Sequence, residues 1–84
     1  MTEQEQVQDA MVQFIDLANK LKNDGSSVKV VAWGLMRAAA TYCTYSAVGN
    51  NAGLTESGIE KITELFKGSL KQVTAAKQMQ AEQV

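Results

Sequence analysis

A chain of 84 residues, 45% hydrophobic and 20% charged, has room for one core and the composition of a folded domain, not of a disordered or membrane-embedded chain. Eight Lys and Arg against nine Asp and Glu leave a net charge of −1, and the lysines are spread among carboxylates, which argues against nucleic acid as a partner. With no histidine and a single cysteine, Cys43, the sequence excludes an internal disulfide and a zinc site of Cys and His, and it offers no imidazole base.

Proline is absent, while glycine and asparagine gather at "NDGSS" (23–27) and "GNNAG" (49–53). These breaks divide one domain, 1–84, into three helical segments, expected at about 3–23, 27–48 and 55–75. In the first, Val7, Met11, Phe14, Ile15, Ala18 and Leu21 recur at spacings of three and four and share one face. Thr2 and Glu5 have the spacing of a capping box, Lys20 and Lys22 suit the negative end of the helix dipole, and Gly25 suits the left-handed turn that stops the helix.

The second segment, capped by Ser26 or Ser27, is "VVAWGLMRAAATYCTYSAV" over 30–48. At about 100° per residue, Lys29, Trp33, Gly34, Arg37, Ala40, Thr41 and Thr44 fall in one arc. The wider remaining arc is apolar and rich in small residues, more than a single stripe against two neighbours requires. A second copy of the chain is the simplest cover, because homo-oligomers, dimers above all, are the commonest assemblies. Trp33, Gly34, Arg37, Thr41 and Tyr45 are the candidate interface residues. Arg37 itself has three readings: a stem on the core edge with its guanidinium in water, an ion pair with Asp16 or Asp9 within or between chains, or an anion ligand. A membrane span is disfavoured, since an arginine at mid-helix costs roughly 2.5 to 3.5 kcal/mol and the alanines and hydroxyls offset little.

The third segment opens at Thr55, with Leu54 and Ile59 spaced as a hydrophobic staple. Ile59, Ile62, Leu65, Phe66, Leu70 and Val73 form its apolar face, while Glu60, Lys61, Glu64, Lys67 and Lys71 read as a solvated face supported by a Glu64–Lys67 pair. Gly58 and Gly68 hint at close packing, and 76–84, poor in large apolar residues, is expected to fray.

No motif names a reaction, so no catalytic residue, metal or cofactor is assigned and a non-enzymatic role is expected. Cys43 reads as a small buried hydrophobe; the competing reading is a thiol enzyme or redox sensor. Trp33, Met36, Tyr42 and Tyr45 could instead line a small-molecule or lipid cavity, although aromatics at helical spacing more often fill a core or an interface. The "GNNAG" stretch lacks the strand and lysine of a phosphate-binding loop and reads as a turn.

The stretch "FIDLANKLKNDGSSVKVVAWGLMRAAATY", Phe14 to Tyr42, resembles the shared part of a family of short bacterial proteins classed as a domain of unknown function. The likeness lies in Phe-Ile-Asp-Leu-Ala-Asn, a short polar turn, and a Lys-Val start to an alanine-rich helix ending in aromatics. What the resemblance implies is a small bacterial, cytoplasmic, helical protein. The polar, acidic start "MTEQEQVQDA" is unlike a signal peptide and points to the same compartment. The overall expectation is an all-α three-helix bundle with a central, largely apolar second helix, acting as a self-associating interaction module, most simply a homodimer.

Overall fold

A computed structural model describes residues 1–82 as three helices, α1 (Glu3–Asn23), α2 (Val28–Val48) and α3 (Glu56–Glu82), with no strand among the described residues. The protein is all-α.

Each helix start is fixed by a side chain that accepts from an otherwise unpartnered amide. Thr2 Oγ1 accepts from the Glu5 amide at 3.1 Å, and the Glu5 carboxylate accepts from the Thr2 amide at 3.4 Å, which closes the capping box. Ser27 Oγ takes the Val30 amide and Thr55 Oγ1 the Gly58 amide, each at 3.1 Å. Of the two serines weighed for α2, the cap is Ser27.

The stops depend on glycine. At the end of α1 the Gly25 amide donates to the Lys22 carbonyl and the Ser26 amide to the Leu21 carbonyl, the paired bonds of a Schellman motif. That geometry needs a left-handed residue, and Gly25 has φ +117°. Gly49, φ +80°, ends α2 with its amide on the Tyr45 carbonyl at 2.8 Å.

α3 continues past the expected end near residue 75 to Glu82. Ala75, Ala76, Lys77, Gln78, Met79, Gln80 and Ala81 are good helix formers with no breaker among them, and a helix needs only its own backbone bonds to propagate. The remainder of the segment expected to fray, residues 83 and 84, lies outside the described residues.

Two compact units divide at Tyr42 and Cys43. In the first, the half-buried residues are Ala18, Ser26 and Val31, which cluster about the Asp24–Ser27 turn. In the second they are Thr44, Gly49, Leu54, Gly58 and Ile62, about the connection that enters α3. The Leu54 side chain covers Gly58, where an added Cβ would stand 3.4 Å from Leu54 Cδ2. Gly68, by contrast, has nothing within 4 Å of the place a Cβ would occupy, so the close packing expected there is not formed. No side chain among the described residues is buried.

Candidate interaction surface

Absence of burial leaves the apolar residues of α2 open to water. Trp33 is 67% exposed, Tyr42 72% and Met36 55%, and Val28 and Val30 are similarly open. α1 and α3 also leave Phe14, Leu17, Leu65 and Phe66 about half exposed or more.

Four of the five candidate interface residues lie along one ridge of α2. Trp33, Arg37, Thr41 and Tyr45 follow one another at intervals of four, the spacing of an i±4 row on a helix surface, and Lys29 begins the row one turn earlier. Lys29 Nζ stands 6.0 Å from the centroid of the Trp33 ring, within reach of a weak cation–π attraction. Thr41 Oγ1 donates to the Arg37 carbonyl at 2.9 Å, so this hydroxyl is turned back onto its own helix. Gly34 belongs to the neighbouring row, Val30–Gly34–Ala38, and a methyl group added there would meet nothing within 4 Å, which leaves open backbone beside the indole.

Arg37 is exposed and forms no ion pair with Asp9 or Asp16; among the described residues the one ion pair is Lys20–Asp24, at 2.9 Å and largely in solvent. The Glu64–Lys67 pair expected on α3 is likewise not formed, as suits two long exposed side chains whose attraction at i,i+3 is worth only a few tenths of a kcal/mol, about 0.2–0.5. Cys43, expected as a buried filler, is exposed.

One concave feature is not evident from the sequence. It is a shallow, open depression on one side of α3, bordered by Ser57, Glu60, Lys61, Glu64 and Leu65. Its residues belong to two neighbouring i±4 rows of the one helix, Glu60 and Glu64 in one and Ser57, Lys61 and Leu65 in the other. Its charged members, Glu60, Lys61 and Glu64, are those that the sequence reads as a solvated face.

Among the described residues no three His, Cys, Asp or Glu side chains are placed to hold a metal ion, and no helix is long and apolar enough to cross a membrane. No family model, curated protein or solved structure matches the chain.

Proposed function

We propose that this chain is a self-associating, non-enzymatic interaction module, a homodimer in its simplest form, in which a second copy completes the helical bundle that one copy leaves open. The cytoplasmic, bacterial setting implied by the Phe14–Tyr42 resemblance is part of the same proposal. One observation carries it: every large apolar side chain of the described residues is at least partly in water.

Surface area sets the magnitude. A compact monomer of 9.1 kDa exposes about 4,900 Å² by the usual scaling of surface with mass. This chain exposes 7536 Å². Small domains are marginal even when their cores are closed, so apolar surface on this scale calls for a cover. Trp33 and Arg37 add a compositional reason, since tryptophan and arginine are the residues most enriched at the energetic centres of interfaces.

Sedimentation equilibrium from nanomolar to tens of micromolar tests the reading. The expected result is a mass of two or more chains at micromolar concentration. A single-chain mass throughout, in a protein that carries a copurified apolar molecule, would overturn it in favour of a ligand cavity near Trp33, Met36, Tyr42 and Tyr45.

A further inference from the structure

We infer that Asp24–Gly25 is a site of backbone isomerisation, at which the chain converts to isoaspartate unless the Schellman stop of α1 restrains it. The site lies within one turn and does not depend on the self-association proposed above. Asp24 is the one Asp or Asn of the sequence that is followed by glycine. That neighbour matters because the reaction is an attack by the next residue's backbone nitrogen on the side-chain carboxyl carbon. A residue without Cβ leaves its nitrogen unhindered and its backbone free to turn. Asp24 is also open to water, with 62% of its side chain exposed.

The chemistry needs nothing but water. The Gly25 amide gives up its proton and its nitrogen bonds to Asp24 Cγ, while the carboxyl hydroxyl leaves with that proton as water and a five-membered succinimide closes. A water molecule then opens the ring. Breaking the new bond to Cγ restores aspartate. Breaking the original bond between the Gly25 nitrogen and the Asp24 carbonyl carbon leaves the chain running through Cβ and Cγ, as isoaspartate, with its mass unchanged and one more carbon in the main chain.

The folded turn opposes ring closure. Closure requires the Gly25 nitrogen to eclipse Asp24 Cβ about the Cα–C bond. Asp24 has φ −81° and ψ 1°, which eclipses that nitrogen with the amide nitrogen of Asp24 itself and leaves Cβ about a third of a turn away by tetrahedral geometry. The rotation that would bring them together leaves the helical well. It also breaks the stop, in which the Gly25 and Ser26 amides donate to the Lys22 and Leu21 carbonyls at 3.1 and 3.0 Å. The proton that must leave Gly25 is one of those held. Lys20 Nζ, 2.9 Å from Asp24 Oδ2, is a weaker restraint, because both side chains are largely in solvent. Reaction therefore runs through openings of the stop, and helix ends open at a lower free energy than the whole fold. The isomerised chain does not rebuild the stop, since the added carbon moves Gly25 and Ser26 out of register with α1.

Incubating the full chain at neutral pH, folded and in guanidinium chloride, tests the site. Chromatography separates the two forms of the tryptic peptide 23–29, and electron-transfer fragmentation, which cuts the added Cα–Cβ link, places the change. The denatured chain should accumulate isoaspartate at residue 24, and the folded chain should do so at least about tenfold more slowly. Ser26→Pro removes the amide that donates to Leu21 and keeps Asp24–Gly25 intact, so the folded variant should isomerise about threefold or more faster than folded wild type. Lys20→Ala, which removes only the ion pair, should change the rate by less than about twofold. A denatured chain that forms no isoaspartate, or a folded wild type that forms it as fast as the denatured chain, would overturn the inference whether or not Ser26→Pro folds. A folded Ser26→Pro chain no faster than wild type would overturn the role of the stop.

Discussion

Lys29 Nζ sits 6.0 Å from the centroid of the Trp33 ring, one turn away on the same helix, and the ring is two-thirds exposed. An exposed indole next to an exposed cation is open to a partner, and burying it would remove a large apolar surface from water. Trp33 is the single tryptophan of the chain, so its fluorescence reports this site alone. The emission maximum should shift to the blue as concentration rises and the ring leaves water. Trp33→Ala should weaken association by about 2 kcal/mol or more, roughly thirtyfold, the cost typical of a tryptophan at the centre of an interface. A maximum that does not move with concentration counts against burial of Trp33.

The helix starts offer a simpler measurement. Thr2, Ser27 and Thr55 each accept one amide in the first turn of a helix. Replacing any of them with alanine should cost about 1 kcal/mol of stability, read as a lower urea midpoint with an unchanged slope. Thr2→Ala should also release Glu5 from its reciprocal bond, so Glu5→Gln in that background should add little.

These caps were legible in the sequence because each is local: the donor and acceptor are three residues apart, and no distant contact decides them. The Gly25 stop is legible for the same reason. The extent of α3 was misjudged on a different kind of signal, the loss of large apolar residues after Val73, which bears on whether a helix is covered and not on whether it forms. Burial itself could not be read, and Cys43 shows why. Its apolar surroundings on α2 imply a cover, yet its thiol is exposed. The shallow depression on α3 is not legible because Glu60, Lys61 and Glu64 are ordinary as single exposed charges.

Glycine substitutions separate backbone requirement from packing. Gly25→Ala places a methyl group on a left-handed residue and should destabilise by roughly 1–2 kcal/mol. Gly68→Ala, within α3 and with open space around it, should instead stabilise by up to about 1 kcal/mol through helix propensity alone. Thermal unfolding at one fixed protein concentration distinguishes the two signs, and matching concentrations matter because association contributes to the apparent midpoint.

Gly34→Ala gives opposite answers in the free and associated chain. In the single chain its added methyl meets nothing within 4 Å, so helicity of the dissociated protein should rise. In the proposed assembly, with the Trp33 row as the contact, Gly34 lies in the neighbouring row, and an extra methyl there should cost about 1–3 kcal/mol. Dilution experiments should therefore show a more helical but more easily dissociated protein. Tighter association on this change would mean that the partner meets another part of α2.

Cys43 supplies a chemical measure of cover. The thiol is exposed in the single chain, and an aromatic disulfide reagent should label it readily at nanomolar concentration. It lies on the opposite flank of α2 from Arg37, separated from it by about 120° of helix rotation. Protection there reports burial of the wider apolar arc, beyond the Trp33 ridge alone. The labelling rate should fall as protein concentration rises, in step with the mass seen by sedimentation. A rate that stays high in the assembled state would place Cys43 outside the contact and restore the case for a reactive thiol. A rate that falls while Trp33 emission stays fixed would put the contact on the Cys43 flank instead of the ridge.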